Sequence, residues 1–203
     1  MAQPDPPSAA SLPNADDAAM LAAVHAGSTQ AFDRLVERHK APLLGYIRYR
    51  IGDAHAAEDL LQETFLRAFR AALRGSFEGR STVKTWLFAL ATNCITDYQR
   101  SNARHHAMHG DANAPTAVHD PPSPGPDPAE AALLAEEHRR LHGVLDRLPD
   151  EQREVVQLKV FGGLTFGEIA DVAGCPVATA KSRMRYALRH IRELLEQETD
   201  NAQ

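Results

Sequence analysis

The chain has 203 residues, 43% of them hydrophobic and 24% charged, and 22 Lys and Arg against 27 Asp and Glu set its net charge at −5. That is a globular composition with room for one domain or two small ones. It excludes a bilayer-spanning protein, because no run approaches the ~18 apolar residues a membrane helix needs.

Residues 1–14, rich in Pro, Ala and Ser, have the composition of a disordered segment and neither the basic leader nor the hydrophobic stretch of a secretory signal. From Asp16, "DDAAMLAAVHAG" predicts a short helix stopped by Gly27. The next segment repeats apolar residues at Phe32, Leu35, Val36, Leu43, Leu44 and Ile47, a helical period bent near Pro42 and closed by Gly52. A third helix, "DAHAAEDLLQETFLRAFRAALRG", ends at Gly75. Its spacing turns Leu61, Phe65, Ala68, Phe69 and Ala72 inward and gives Asp59, Gln62, Glu63 and Arg67 a face of their own. Ser81 is the expected cap of a fourth helix, with Val83, Leu87, Leu90 and Cys94 on its inward stripe and Trp86 beside it as a core residue.

Composition then shifts. Between Arg104 and Arg139 there is no Lys or Arg, while Asp111, Asp120, Asp127, Glu130, Glu136 and Glu137 are acidic. "APTAVHDPPSPGPDP" within it cannot be regular helix or sheet, since proline removes a donor and disfavours helical neighbours, so residues 105–129 are assigned to an extended linker. The "HHAMH" at 105–109 is read as incidental, with no metal site. Helix resumes near Glu130, runs to Leu148, and restarts after Pro149 with Asp150 and Glu151 as a start signal. No stretch shows period-two alternation. The predicted fold class is therefore all-α: two helical domains, 15–104 and 130–197, joined by a Pro-rich acidic linker, with a tail at 198–203.

The C-terminal unit has the grammar of a helix-turn-helix. Thr165 and Glu168 form a capping box, Ile169, Ala170 and Val172 or Ala173 face inward, Gly174 permits the tight turn, and Pro176 opens the next helix. That second helix is predicted to bury Val177, Ala180, Met184, Leu188 and Ile191. Thr179, Lys181, Ser182, Arg185, Tyr186 and Arg189 then point outward. From Cys175 to Arg192 there are five cations and no carboxylate. In an acidic protein such a stripe fits a polyanion, because neutralising phosphates releases condensed counterions. A solvated surface is the plainer alternative for any basic run.

Four blocks carry a resemblance: "AFDRLVERH", "AEDLLQETFLRAFRA", "FEGRSTVKTWLFALATNCITDYQR" and "LPDEQREVVQLKVFGGLTFGEIADVAGCPVATAKSRMRYAL". In this order they resemble a bacterial RNA polymerase sigma factor of the extracytoplasmic-function group, over about Asp16 to Leu195. The resemblance implies that Asp59, Gln62, Glu63 and Arg67 dock on core polymerase. It also implies that Phe77, Ser81, Thr82 and Asn93 hold the non-template strand of the minus-ten element, with Arg80, Lys84, Arg100 and Arg104 on its phosphates. Thr179, Lys181, Ser182, Arg185, Tyr186 and Arg189 would read the minus-thirty-five element. The sequence departs from the family at Ala178 and Ala180, where Gly and Val are usual, and at Tyr186, where a basic residue is common.

The implied partners are core polymerase, promoter DNA and an anti-sigma factor, with no cofactor, small-molecule substrate or membrane insertion. With Cys94 and Cys175 read as reduced thiols, the expected location is cytoplasmic. Two rival readings fit the residues less well. An enzyme lacks a base or metal partner for Glu58, Asp59 and Glu63. A stand-alone helix-turn-helix regulator explains residues 149–195 but leaves "AEDLLQETFLRAF" and "KTWLFALATN" without a role.

Overall fold

The computed structural model describes residues 17–109 and 143–201, and every regular element among them is a helix. The first bundle comprises α1 (Asp17–His25), α2 (Thr29–Ile51), α3 (Ala54–Leu73) and α4 (Val83–His109). The second has a helical segment at 143–146, then α5 (Asp150–Val160), α6 (Phe166–Ala173) and α7 (Val177–Asn201). The stretches assigned to a disordered N-terminus and to most of the linker lie outside the described residues. α4 continues through His109, five residues into the segment assigned to the linker.

Local chemistry sets the helix ends. Ser28 and Asp53 cap α2 and α3 by accepting from the N–H groups of Ala31 and Ala56. α2 runs unbroken past Pro42 and ends at Gly52, whose φ of 76° is the left-handed cap. The cap of α4 is Thr82 rather than Ser81: the Thr82 hydroxyl accepts from the Thr85 N–H at 3.1 Å, while the Ser81 hydroxyl turns toward the Thr82 carbonyl.

Leu35, Leu43, Tyr46 and Ile47 of α2, Ala57 and Ala68 of α3, and Leu87, Phe88, Ala91 and Ile95 of α4 are fully buried. Their spacings of one, three, four, eight and eleven residues keep them on one face per helix, which is why amphipathic helices close into a bundle. Several sequence expectations about which residues face the core are shifted. In α3 the inward residues include Ala57 and Leu60, while Leu61 and Phe69 are only half-buried. In α4 Leu90 is half-buried and Phe88 takes the core position. Trp86 is also half-buried, packed on Phe77 with ring centroids 5.2 Å apart.

The second bundle does not stand apart from the first. Val155, Leu158, Leu164, Ile169, Ala170 and Ala180 belong to the same buried cluster as the α2–α4 core. Phe161 covers Gly45 so closely that a β-carbon there would lie 3.0 Å from its ring. The Phe161 and Tyr49 rings lie 5.8 Å apart. Arg50 of α2 and Glu154 of α5, both largely buried, approach to 3.7 Å. Burial raises the Glu154 carboxyl above the usual range, against the pull of Arg50 and Arg183. Burial likewise lifts the Tyr46 phenol to about 12, against the opposing pull of Arg50.

The Leu60 and Leu61 side chains provide a test of the observed packing. Leu60→Ala should cost about 2–5 kcal/mol, the range for a fully buried leucine, and Leu61→Ala less than half as much. Urea unfolding followed by circular dichroism measures both. Equal losses would mean that α3 is rotated from the position described.

Candidate nucleic-acid interface

The helix-turn-helix forms as its grammar requires. The Thr165 hydroxyl accepts from the Glu168 N–H at 3.3 Å, and the Glu168 carboxylate accepts from the Thr165 N–H at 2.8 Å, completing the capping box. Gly174, at φ 60°, closes α6 by donating its N–H to the Ala170 carbonyl. The Pro176 carbonyl accepts from the Thr179 and Ala180 N–H groups and so starts α7.

The inward face of α7 is narrower than its sequence predicts. Ala180 and Ala187 are buried and Met184 and Ile191 half-buried, but Val177 and Leu188 are exposed at 43% and 56%. Small residues at 180 and 187 let α7 lie close to its neighbours, which lifts the flanking Leu188 out of the core. Leu188 then joins Phe166, Lys181, Met184, Arg185, Arg189 and Arg192 around an open basic groove of about 500 Å³.

Of the predicted readers, Lys181, Arg185, Tyr186 and Arg189 are exposed and Thr179 and Ser182 half-buried, the Ser182 hydroxyl donating to the Thr179 carbonyl at 2.9 Å. Tyr186 organises this face. The guanidinium carbons of Arg185 and Arg189 sit 5.3 and 5.0 Å from its ring centroid, within cation–π range. Arg189 also comes within 3.8 Å of Glu193. Tyr186 thus gathers two arginines on one ring.

The residues predicted for the melted strand are only partly brought together. Phe77 leans on Trp86, and Arg80 is exposed and paired with Glu78. Asn93, Arg100 and Arg104 are exposed and, at intervals of seven and four residues, share one face of α4. Lys84 precedes Asn93 by nine residues, about two and a half turns, and so lies on the other side of the helix. Lys84 cannot line one continuous strip with Asn93.

On α3, Asp59 and Gln62 are exposed. Glu63 and Arg67 are tied to each other at 2.7 Å, and Arg67 also donates to Asp97 of α4 at 3.1 Å. Those two hydrogen bonds, Glu63 first, hold the guanidinium above its ordinary range. Beside this face an apolar groove of about 540 Å³ opens between α2 and α3, lined by Phe32, Val36, Leu61, Phe65, Leu66 and Phe69, with Gln62 at its edge. The half-buried Leu61 and Phe69, taken as core in the sequence, are walls of that groove.

One further site residue escaped sequence reasoning except as a helix cap. The second oxygen of Glu168 accepts from the Thr82 and Thr85 hydroxyls at 3.0 and 2.8 Å, across 86 and 83 residues of chain. Burial by itself would raise this carboxyl. Hydrogen bonds from Thr165, Thr85 and Thr82 outweigh burial and hold the group down at about 2. The capping box was legible because it is local. Nothing local signals the second pair of donors.

Among the described residues, no group of three His, Cys, Asp or Glu side chains could hold a metal ion, and no helix is long and apolar enough to cross a membrane. A helix-turn-helix with a cationic outer face, packed on a helical bundle with an exposed polar face on α3, defines a helical DNA-binding protein of two parts. Comparison with known proteins narrows this. Residues 35–105 match the family model of sigma-70 region 2, and residues 138–191 match that of sigma-70 region 4.

The chain is 32% identical to the RNA polymerase sigma-H factor of Pseudomonas aeruginosa, over 91% of this chain and 96% of that one. It is 33% identical to the ECF RNA polymerase sigma factor SigK of Mycolicibacterium vanbaalenii, over 87% and 88%. Among solved structures it is similar to CnrH in complex with the cytosolic domain of CnrY, with a TM-score of 0.67, 25% identity and coverage of 89% and 97%. It also shares the fold of RpoE from Bartonella quintana, solved with the anti-sigma factor NepR, with a TM-score of 0.68, 24% identity and coverage of 83% and 98%. The chain belongs to the sigma-70 family of RNA polymerase sigma factors, in its extracytoplasmic-function group. It is a transcription initiation factor whose two regions serve core RNA polymerase and promoter DNA.

Glu168 predicts an acid response. Its folded value lies below the ordinary 4.5, so its contribution to stability is complete above about pH 4.5 and is lost as pH falls toward 2. Acid unfolding curves of wild type and Glu168→Gln should therefore differ most above pH 4.5 and converge only as pH falls to about 2. A constant offset across that range would show that the carboxylate carries no such linkage.

Proposed function

We propose that residues 15–104 form the unit that binds core polymerase and the minus-ten element, that residues 105–129 tether it, and that residues 130–197 read the minus-thirty-five element. Asp59 and Gln62 meet the polymerase directly, and the Glu63–Arg67–Asp97 network holds the docking face in shape. Phe77, Ser81, Thr82 and Asn93 take the displaced strand, with Arg80, Arg100 and Arg104 on its phosphates. Lys84, on the opposite side of α4 from Asn93, approaches a different part of the DNA. Thr179, Lys181, Ser182 and Arg185 meet base edges in the major groove, and Arg189 holds the backbone.

The observation that carries this reading is the outward basic face of α7, held by Tyr186, in a chain whose two halves match regions 2 and 4 in order. The chain itself catalyses nothing and acts in the cytoplasm. An anti-sigma factor controls it, a reading supported by the likeness to CnrH, which was solved with the cytosolic domain of CnrY.

Run-off transcription with core polymerase tests the activity. Specific transcripts should depend on this chain and fall at least about tenfold with Asp59→Lys, at unchanged helical content; ~1.4 kcal/mol of lost docking is enough. Equal transcripts with and without the chain would refute the reading.

The basic face yields a sharper expectation. Arg185→Ala should cost about 1–3 kcal/mol and relax preference at particular minus-thirty-five positions. Arg189→Ala should weaken binding to all sequences alike and reduce the salt slope by about 1. Tyr186→Ala should reproduce part of both losses, whereas Tyr186→Phe, which keeps the ring, should not. Holoenzyme binding to single-base promoter variants at several salt concentrations measures all four. If Tyr186→Ala changes neither specificity nor slope, the ring does not position the arginines.

A further inference from the structure

The first turn of α7 is fixed by its backbone. Gly174 and Cys175 both donate their N–H groups to the Ala170 carbonyl, and the Pro176 carbonyl accepts from Thr179 and Ala180 at 2.9 and 3.0 Å. Ala180 is fully buried on the inner side of that turn. On the outer side Ala178 is exposed, and its side chain is a single methyl group. It precedes Ser182, Arg185 and Arg189 by four, seven and eleven residues, which places all four within a sector of about 60° on the helix. Val177 is exposed too, but lies about 100° away, on the side of Lys181, Met184 and Leu188. Ala178 is therefore the N-terminal member of the reading face.

Side-chain reach grades along that face. Ala178 is the shortest, and the Ser182 hydroxyl turns back onto the Thr179 carbonyl at 2.9 Å, whereas Arg185 and Arg189 are long and exposed. A helix about 10–12 Å across enters a major groove about 12 Å wide and about 8.5 Å deep, so its backbone nears the groove floor only where side chains are short. The tapered end of α7 is its N-terminus, the end that reading helices bring to base edges. Ala178 offers neither donor nor acceptor there. Thymine alone presents an apolar group in the major groove, its 5-methyl. Against an alanine, the polar edges of the other bases lose water and gain no partner.

We infer that the Ala178 methyl is a specificity determinant of this chain, packing against the 5-methyl group of one thymine in the minus-thirty-five element, two helical turns before the contact of Arg185. The inference rests on the minus-thirty-five reading proposed above and adds to it a base contact made without a hydrogen bond. Alanine has no rotamers to lose, so ordering it costs no side-chain entropy, and the anchored turn sets its position. The contact discriminates by shape.

The test uses the full chain assembled with core polymerase. Holoenzyme first selects from promoters randomised in the minus-thirty-five element, and the selected sites should carry a thymine at one fixed position. Replacing that thymine by deoxyuridine, which deletes only the methyl group, should weaken binding about fourfold, the size of one buried methyl. With cytosine at the same position, 5-methylcytosine should bind more tightly than cytosine by a similar factor. Ala178→Gly should bring both ratios to about one, with circular dichroism reporting its helical content. The two base replacements decide the matter in the wild-type chain if that variant proves unstable.

Binding that ignores the methyl group at every selected thymine would overturn the inference and leave the minus-thirty-five reading intact. So would a methyl effect that persists undiminished in a folded Ala178→Gly chain. A holoenzyme that selects no minus-thirty-five sequence at all would overturn that reading itself, and the Ala178 contact with it.

Discussion

The Glu168 carboxylate serves two structures at once. One oxygen completes the capping box that starts the helix-turn-helix, and the other receives two hydroxyls from the start of α4. A carboxylate in water satisfies its lone pairs at no cost. Moved into a half-buried junction it needs donors from the protein, and here Thr165, Thr82 and Thr85 replace the solvent. The position of the helix-turn-helix relative to the first bundle depends on that exchange, because the remaining contacts there are chiefly apolar and so set proximity more than register. Phe161 on Gly45 and Phe88 beside Gly162 work because glycine leaves room for a ring.

What the sequence revealed follows from how far each signal travels along the chain. Helical periodicity and caps act over three or four residues, so the helices, Gly52 and Gly174 as stops, and the Thr165–Glu168 box could all be read directly. Finer errors came from judging which edge of an apolar stripe faces the core. In α3, Leu60 and Leu61 are equally hydrophobic neighbours 100° apart on the helix, and only the position of α2 decides which is enclosed. In α7 the same ambiguity placed Leu188 inside, although buried Ala187 brings the helix too close to its neighbours to admit a leucine beside it. Ser81 and Thr82 were a similar pair, separated only by which hydroxyl reaches the Thr85 N–H.

The candidate sites were legible as residue types and less so as arrangements. Composition exposed the cationic helix, since a carboxylate-free run is conspicuous in an acidic chain. That Tyr186 would draw Arg185 and Arg189 onto one ring could have been guessed from spacings of one and three residues, had the tyrosine not looked like a departure from pattern. Helical spacing alone could have separated Lys84 from Asn93. The partners of Arg67 on α4 and of Glu168 across the chain could not be derived, because both depend on how whole helices pack.

The charge distribution gives the contact between the halves a further consequence. Arg50 and Glu154 are both largely buried at 3.7 Å, a separation at which attraction offsets desolvation only in part, and burial raises the Glu154 carboxyl accordingly. A buried pair of this quality adds little net stability when made, yet leaves a costly lone charge if only one partner is removed. It therefore penalises misaligned approaches of the two halves more than it rewards the correct one. Apolar seating supplies the attraction, the Glu168 hydroxyls supply the register, and the ion pair excludes alternatives. An interface divided in this way gains its specificity from its few polar contacts and its adhesion from its apolar ones.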